Sequence, residues 1–221
     1  MKRIIMTGGS DGLGKAFAKL CVKENIEIVC LSRSKPDYPC IHIETDLAEE
    51  TSMKNACDQI KKDYFSFDAL VNCAGLISVQ APDKITYDEL ESVMRVNSIA
   101  PIYLTSLLFD LIKKNESDVM NVGSTVGTKA YANQAAYGTS KWALRGTSLN
   151  FQLELAKTRC RVIQFNPGGM VTEFFKKYNG ETIKDPSAWM KPEDVAAVML
   201  YTLKLPKQLE VSEILINRKS A

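Results

Sequence analysis

The sequence is poor in metal-ligating residues and in long apolar runs. Its 221 residues include one histidine, His42, and six cysteines without a C-x-x-C pair, which excludes the common zinc sites and favours buried, reduced thiols over disulfides. No apolar stretch approaches the roughly 20 residues that span a bilayer. Met1 is followed almost at once by an apolar strand pattern and a glycine-rich turn instead of a signal peptide. We therefore expect a cytoplasmic protein that binds no metal ion and no membrane.

The charge balance is nearly even. Lys and Arg number 28 and Asp and Glu 26, which leaves a formal charge of +2. So small an excess does not favour nucleic acid as a partner. Hydrophobic residues make up 45% and charged residues 24%, as in globular proteins, and 221 residues suffice for one core but are few for a second. We expect a single domain over residues 1–221.

Short apolar runs alternate with amphipathic segments along the chain. The runs are nearly continuous in Ile, Val, Leu and Cys, as in parallel strands that are buried on both faces. Predicted strands cover residues 3–6, 27–31, 40–43, 69–72, 119–122, 161–165 and 213–216. Predicted helices cover residues 13–23, 48–61 and 135–156, and two more begin at Thr86, with Glu89 in a capping box, and at Lys191. The alternation predicts an α/β fold: a Rossmann-type, doubly wound parallel sheet of about seven strands with helices on both faces.

A glycine-rich turn, TGGSDGLG at residues 7–14, joins the first predicted strand to the first helix. Glycine permits positive φ and a close approach of the backbone to a ligand, and the helix N-terminus offers N–H groups to a pyrophosphate. The spacing is G-x-x-x-G-x-G, which differs from the common dinucleotide fingerprint. Residues 9–15 also fit G-x-x-x-x-G-K, the start of a Walker A loop, but Ala16 follows where that loop needs Ser or Thr for magnesium. A phosphate-transferring or nucleotide-hydrolysing protein is therefore the minor alternative.

A tyrosine and a lysine occur one helical turn apart, in the sequence Tyr137-Gly-Thr-Ser-Lys141. A nearby ammonium stabilises phenolate over phenol, so we expect Lys141 to lower the pKa of Tyr137 and to make it a general acid or base. Ser124 follows the predicted strand 119–122, at the sheet edge where open α/β sheets bind ligands. Each feature alone is common in proteins, but together with the glycine turn they point to one site.

Further motifs follow in a fixed order after the turn: Asn72-Cys-Ala-Gly75, Asn97, Ser124, Tyr137 with Lys141, and PGGMVT at residues 167–172. In these motifs, across nearly the whole chain, the sequence closely resembles the short-chain dehydrogenase/reductase family. Two positions depart from the family's pattern. Cys73 stands where a second asparagine is usual, and Asp11 occupies a turn position that is more often neutral or basic. Neither departure removes a reacting group, but the acid argues against binding of the extra NADP phosphate at the turn.

The resemblance implies a role for each of four catalytic residues. Tyr137 exchanges a proton with the substrate oxygen, and Ser124 donates a hydrogen bond to that oxygen. Lys141 lowers the pKa of Tyr137 and holds the nicotinamide ribose, and Asn97 places a water in a proton relay through Lys141. The nicotinamide cofactor supplies the hydride chemistry itself.

The resemblance also implies the cofactor contacts. The pyrophosphate lies on the glycine turn, the adenosine lies beside the ends of the third and fourth strands, and the carboxamide lies on the segment after the sixth strand. The implied cofactor-binding residues are Gly8, Ser10, Gly12, Leu13, Gly14, Ser32, Arg33, Asp46, Leu47, Asn72, Ala74, Gly75, Tyr137, Lys141, Pro167, Gly168, Val171 and Thr172.

The end of the second predicted strand favours NADP over NAD. An acid at this position binds the ribose 2′-hydroxyl of NAD, whereas an arginine favours the 2′-phosphate of NADP. Here the strand ends in Ser32-Arg33-Ser34, and no acid occurs before Asp37. Arg33 can pair with a phosphate through two N–H groups, and a neighbouring serine hydroxyl can add a third hydrogen bond. NAD is the less favoured cofactor.

The substrate is expected to bind beside Tyr131 and Gln134 and against a short segment at about residues 169–191. This segment contains four aromatic residues, Phe174, Phe175, Tyr178 and Trp189, which favours a compact apolar pocket for a small carbonyl or alcohol. Loops determine the substrate on this fold, so the resemblance does not name it. The alternative function is a non-catalytic NADP-binding or sensing protein. Relatives of this fold usually pair through the helix that bears the tyrosine, so a homodimer or homotetramer is expected.

Overall fold

A seven-stranded parallel sheet forms the centre of the protein. The structure is a computed structural model that describes residues 1–174, 176, 185, 187 and 189–219. The strand order is β3-β2-β1-β4-β5-β6-β7, and each neighbouring pair is parallel. The strands are β1 (Arg3–Thr7), β2 (Glu27–Ser32), β3 (Ile41–Glu44), β4 (Ala69–Asn72), β5 (Asp118–Val122), β6 (Val162–Pro167) and β7 (Glu213–Ile216). The predicted α/β sheet is confirmed.

In the described part of the chain, helices connect consecutive strands except β2 and β3, which a loop joins. The helices are α1 (Gly12–Lys23), α2 (Glu50–Asp63), α3 (Tyr87–Met94), α4 (Ala100–Leu107), α5 (Phe109–Asn115), α6 (Ala135–Leu155) and α7 (Pro192–Lys204). Thr86 caps α3 by accepting a hydrogen bond from the Glu89 N–H at 3.2 Å, as the capping-box pattern predicted. The helices α4 and α5 were not among the predicted helices. A single π-helical turn, Arg95–Ile99, links α3 to α4.

The two faces of the sheet pack against different helices because successive strand residues point to opposite sides. On one face, Ile4 and Met6 of β1 pack with Phe17 of α1 and Met199 of α7. On the other face, Ile5 joins a separate core with residues of α2, α4 and α5. Both cores are closed to solvent, so β1 is buried on both sides. This arrangement is the reason for the nearly continuous apolar runs in the sequence.

A crevice opens at the carboxyl edge of the sheet, beside β1. The chain runs outward from β1 to β2 and β3, and then crosses to β4 on the other side of β1. Open α/β sheets bind ligands at such a switch point. The turns after β1, β4, β5 and β6, which contain the predicted site residues, all lie at this edge.

A buried chain of polar side chains fixes α6 against the sheet. Asn72 of β4 donates to Asn121 of β5 at 2.8 Å, and Asn121 donates to Ser148 of α6 at 2.9 Å. Ser148 then donates to Gln164 of β6 at 2.6 Å. Buried polar groups without partners are costly, so this chain favours one position of α6 on the strands. Tyr137 and Lys141 lie on the same helix, and their placement depends on it.

Membrane-spanning helices, metal sites and the single histidine were also considered from the sequence. In the described part of the chain, no helix combines the length and the apolar character that a bilayer-spanning segment needs. Within the same residues, no group of three or more acids, histidines and cysteines could hold a metal ion. His42 lies in β3, where a ring nitrogen hydrogen-bonds the Ser32 carbonyl of β2 at 2.9 Å. This contact joins two neighbouring strands of the sheet.

Candidate active site

The glycine turn brings two loops into close contact. Gly8 has a φ of 71°, and a Cβ there would lie 2.6 Å from the backbone of Ala74 in the loop after β4. A Cβ at Gly14 would lie 2.1 Å from the Gly8 carbonyl oxygen. The Thr7 hydroxyl accepts hydrogen bonds from the N–H groups of Cys73 and Ala74, both at 3.1 Å. The glycines therefore serve a tight turn that is joined to the neighbouring loop.

The first turn of α1 faces the crevice. Asp11 caps the helix by accepting from the Gly12 N–H at 2.7 Å, and Leu13 and Gly14 border the crevice beyond it. N–H groups in a first helical turn have no partners within the helix, and they bind anions well. Lys15, which a Walker A loop would direct at a phosphate, instead forms an ion pair with Asp37 at 2.9 Å. This pairing opposes the interpretation as a Walker A loop.

One cleft of about 680 Å³ extends from the glycine turn to Ser124 and Tyr137. It brings together most of the residues that the sequence assigned to cofactor binding. Those that line it are Gly8, Ser10, Gly12, Leu13, Gly14, Ser32, Arg33, Asp46, Leu47, Ala74, Gly75, Tyr137, Lys141, Pro167, Gly168 and Thr172. A cleft that joins a helix N-terminus, an arginine and a proton-transfer pair has the donor set that a dinucleotide requires.

Asn72, Val171 and Asn97 do not line the cleft. Asn72 is buried in β4, where its amide nitrogen is bound to Asn121 and its Oδ1 has no hydrogen-bond partner in the described part of the chain. Val171 is 36% exposed, and its N–H donates to the Met190 carbonyl at 2.9 Å. The assignment of Asn72 and Val171 to cofactor binding therefore has no support from the lining of the cleft and stays a prediction.

Ser124, Tyr137 and Lys141 meet at one end of the cleft. Ser124 begins the short helical turn after β5, and its hydroxyl accepts from the Val126 N–H at 3.2 Å. Ser124 lies close enough to the Tyr137 hydroxyl to lower its pKa. The Lys141 ammonium donates to the Val122 carbonyl at 3.0 Å and lies 5.8 Å from the centre of the Tyr137 ring. The predicted three residues therefore surround one point.

Burial dominates the electrostatics of this group. It raises the pKa of Tyr137 to about 12, against the smaller lowering effect of the hydrogen bond with Ser124. Burial also lowers the pKa of Lys141 to about 8, and the nearby Cys73 thiol opposes that shift. Lys141 is not among the causes of the Tyr137 shift, and its ammonium is engaged with the Val122 carbonyl. That Lys141 lowers the pKa of Tyr137 stays a prediction.

Asn97 lies in the π-helical turn and is fully buried. Its Oδ1 accepts from the Leu76 N–H at 2.7 Å, and its Nδ2 donates to the Leu76 carbonyl at 2.8 Å and to the Ser140 hydroxyl at 2.9 Å. Ser140 in turn donates to the Tyr137 carbonyl at 2.7 Å. Asn97 thus connects the loop after β4 to the helix that carries Tyr137 and Lys141.

Arg33 lies at the far end of the cleft from Tyr137, just after β2, with Ser32 and Ser34 beside it. Ser32 is buried, and its hydroxyl donates to the Ser34 carbonyl at 2.9 Å. Asp37, the first acid after this strand, does not line the cleft and is paired with Lys15. Asp46 borders the cleft and is held by the Ala48 N–H, which donates to its Oδ1 at 2.9 Å.

The family model for short chain dehydrogenases matches residues 2–182. The chain belongs to the short-chain dehydrogenase family. The NADP-dependent 3-hydroxy acid dehydrogenase of Schizosaccharomyces pombe is 24% identical over 237 residues, which cover 97% of this chain and 92% of that protein. Family membership supports a nicotinamide-dependent oxidoreductase.

Solved structures of other dehydrogenases have the same fold. An alcohol dehydrogenase from the archaeon Thermococcus sibiricus, solved with 5-hydroxy-NADP, has a TM-score of 0.88 at 21% identity over 100% of both chains. The ligand-free aldohexose dehydrogenase of Thermoplasma acidophilum also has a TM-score of 0.88, at 25% identity, over 97% of this chain and 91% of that one.

The end of the cleft at Tyr137 is apolar on one side. Ile77, Val126 and Tyr137 form a small buried cluster, and the rings of Tyr137 and Phe174 pack edge to face with centroids 6.3 Å apart. Of the predicted aromatic wall, Phe174 and Trp189 line the cleft, whereas Phe175 and Tyr178 lie outside the described residues.

Among the residues that the sequence interpretation did not assign to the site, two are important for its geometry. Thr7 ties the glycine turn to the next loop, and Arg218 lines the cleft next to Trp189. Arg218 could have been found from the sequence because it follows the last predicted strand. The residues after parallel strands lie at one edge of the sheet, which here also carries Ser124.

Proposed function

We propose that this protein is an NADP(H)-dependent oxidoreductase that interconverts a small carbonyl compound and its alcohol, with Tyr137 as the proton donor or acceptor. The observation that carries the proposal is the single cleft that joins the glycine turn and Arg33 to the Ser124–Tyr137 pair. A binding site for the nucleotide and a proton-transfer group for the substrate are both needed for hydride transfer, and this cleft provides both.

Tyr137 and Ser124 act on the substrate oxygen. Because burial raises the pKa of Tyr137 to about 12, the phenol holds its proton at neutral pH, which is the state that donates to a carbonyl oxygen. Ser124 hydrogen-bonds the same oxygen and orients it. NADP(H), when bound, supplies or receives the hydride. In the direction of alcohol oxidation the deprotonated form of Tyr137 accepts the proton, and alkaline pH favours this form.

Lys141 and Asn97 support this exchange. The Lys141 ammonium lies beside the Tyr137 ring, and Gly75 leaves room next to it, since a Cβ at Gly75 would lie 3.6 Å from Nζ. A ribose hydroxyl could be held at that point by Lys141. Asn97 fixes the loop of Leu76 and, through Ser140, the helix of Tyr137. A water relay through Asn97 and Lys141 is part of this proposal.

Several cleft residues would hold NADP. The N–H groups of Leu13 and Gly14 would receive the pyrophosphate, and Arg33 with Ser32 would receive the 2′-phosphate. Thr172 would flank the nicotinamide end, since a Cβ at Gly12 would lie 3.6 Å from its methyl group. Preference for NADP over NAD is supported by Arg33 in the cleft and by the pairing of Asp37 away from it.

The proposal is tested by following NADPH absorbance with a panel of small ketones, aldehydes and oxo acids, and NADP reduction with the matching alcohols and hydroxy acids. We expect NADPH oxidation with at least one carbonyl compound and slower reaction with NADH. Tight NADPH binding without turnover of any panel member would instead favour the non-catalytic sensor.

We also propose that α6 forms a subunit interface in a homodimer or homotetramer. Three large apolar side chains of this helix are exposed: Leu153 at 78%, Leu149 at 50% and Trp142 at 45%. Exposed apolar surface of this kind is typical of contact with another subunit. Light scattering coupled to size exclusion measures the mass directly, and a monomer at micromolar concentration would contradict the proposal.

A further inference from the structure

The carboxyl edge of the sheet carries a cation at the substrate end of the cleft. Arg218 follows β7, and its guanidinium carbon lies 4.5 Å from the centre of the Trp189 ring. Both residues line the cleft. Arginine stacks on an aromatic face while its N–H groups lie in the guanidinium plane, so stacking and hydrogen bonding use different parts of the group.

Several contacts place Arg218 close to the reacting residues. The β7 end is joined to the loop after β6, because the Gly168 N–H donates to the Ile216 carbonyl at 2.8 Å. A Cβ at Gly168 would lie 3.6 Å from the methyl group of Thr125, the residue after Ser124. The Trp189 ring packs on Gly169, where a Cβ would lie 2.3 Å from it. Arg218 is therefore held on the Ser124 side of the cleft.

The pKa of Tyr131 also indicates that Arg218 lies near this side of the cleft. Burial acts to raise the pKa of Tyr131, but hydrogen bonds with Lys129 and Thr125 and the charges of Lys129 and Arg218 bring it below its ordinary value. The Lys129 ammonium lies 5.2 Å from the centre of the Tyr131 ring. Two cations thus act on one phenol at the mouth of the cleft.

The carboxylates among the described lining residues lie at the nucleotide end of the cleft. Among the described lining residues the only carboxylates belong to Asp11 and Asp46, both at the nucleotide end. Gln134, which precedes α6 and lines the substrate end, has a buried amide oxygen without a hydrogen-bond partner in the described part of the chain. The substrate end thus combines a positive charge with a polar amide beside its apolar wall.

We infer that the substrate carries a carboxylate, which Arg218 binds while Ser124 and Tyr137 act on its hydroxyl or oxo group, so that the substrate class is small hydroxy acids and their oxo acids. A guanidinium offers two parallel N–H groups that match a carboxylate, and its hydrogen bonds to an ion are stronger than those to a neutral group. This inference deepens the proposed function and rests on it for the reaction, but not for the binding of the acid.

A binding measurement tests the inference without turnover. The chain has two tryptophans, so Trp142→Phe leaves Trp189 as the sole indole, whose fluorescence reports on the ring beneath Arg218. In this background, with a fixed concentration of NADPH, which cannot oxidise an alcohol, 3-hydroxybutanoate, its methyl ester and its amide are each titrated into the protein. We expect saturable quenching by the acid and, because a charged hydrogen bond is lost, binding of the two neutral compounds that is about 10- to 100-fold weaker.

Two variants complete the experiment. Arg218→Ala should reduce acid binding to the level of the ester, while Lys219→Ala, an exposed cation one residue further on, should leave it unchanged. Equal responses to acid and ester, or acid binding that survives Arg218→Ala, would overturn the inference. A response to a phosphate monoester in place of the acid would overturn the choice of carboxylate.

Turnover separates the two proposals. If neutral ketones are reduced as well as oxo acids and Arg218→Ala lowers both equally, the oxidoreductase stands and the carboxylate inference fails. If acids bind through Arg218 but NADPH is not consumed with any of them, the proposed function fails and the binding site stands.

Discussion

The Asn97 side chain hydrogen-bonds both backbone groups of Leu76. Its Oδ1 accepts from the Leu76 N–H at 2.7 Å, and its Nδ2 donates to the Leu76 carbonyl at 2.8 Å. The same amide nitrogen donates to Ser140, whose hydroxyl donates to the Tyr137 carbonyl. One buried side chain thus joins the loop after β4, which borders the cofactor region of the cleft, to the helix that carries the proton-transfer residue. Loss of this link should affect both stability and catalysis.

Replacing Asn97 by alanine should lower the free energy of unfolding by about 1–3 kcal/mol, because the Leu76 backbone and the Ser140 hydroxyl lose a partner in a partly closed site. Urea unfolding of the two proteins measures this difference. Asn150→Ala is the matched control, since among the described residues that exposed amide donates to the Gly146 carbonyl of its own helix and to no other group. Unchanged stability and unchanged kcat in Asn97→Ala would contradict the role assigned to this residue.

Replacing Arg33 by alanine should weaken NADPH binding by about 10- to 100-fold, because a charged hydrogen-bonding partner of the 2′-phosphate is lost. NADH lacks that phosphate, so its affinity should change little. Isothermal titration with each cofactor gives both affinities. Lys35→Ala removes an exposed cation two residues away as the control. If NADPH and NADH bind the wild type equally and Arg33→Ala alters neither, the preference for NADP is wrong.

Lys141 should make stability depend on alkaline pH. Burial lowers its pKa from 10.5 to about 8 in the folded protein, so between these values the unfolded chain binds more protons than the folded one. The contribution of Lys141 to stability is therefore present in full above pH 10.5 and is lost as the pH falls through about 8. This shift corresponds to a difference on the order of 3 kcal/mol.

Comparing the wild type with Lys141→Met separates the contribution of Lys141 from those of the buried cysteines and tyrosines, because these groups are present in both proteins. Unfolding free energies measured between pH 7 and pH 10 should rise for the wild type relative to the variant. Two curves that stay parallel over this range would show that the ammonium is not desolvated in the folded state.

The sheet was predictable because its strands are buried on both faces and therefore appear as uninterrupted apolar runs. Strands β4 and β7 begin and end where predicted, and α2 is displaced by two residues at each end. The helices α4 and α5 were missed. Ala100–Leu107 is apolar on most of its surface, so it lacks the period of an amphipathic helix, and Pro101 near its start resembles a helix breaker although a proline is tolerated in a first turn.

The spacing of the residues predicted the position of the site better than it predicted the pKa values of its side chains. The four-residue interval placed Lys141 beside the Tyr137 ring, but the direction of the Tyr137 pKa shift depends on burial, which spacing does not reveal. Asn72 was assigned to the cofactor from its motif, whereas the structure commits its amide to the polar chain beneath α6. Arg218 was overlooked because its place in the cleft depends on the position of β7 in the sheet.

The central claim is that Tyr137 transfers the proton, and the turnover of Tyr137→Phe tests it most directly. With a carbonyl substrate from the panel, kcat should fall by about 10²- to 10⁴-fold, as expected when a general acid is removed, while the Kd for NADPH stays close to that of the wild type. Tyr201→Phe, which alters a tyrosine that is 68% exposed on α7, should leave both values unchanged. Undiminished turnover in Tyr137→Phe would contradict the account.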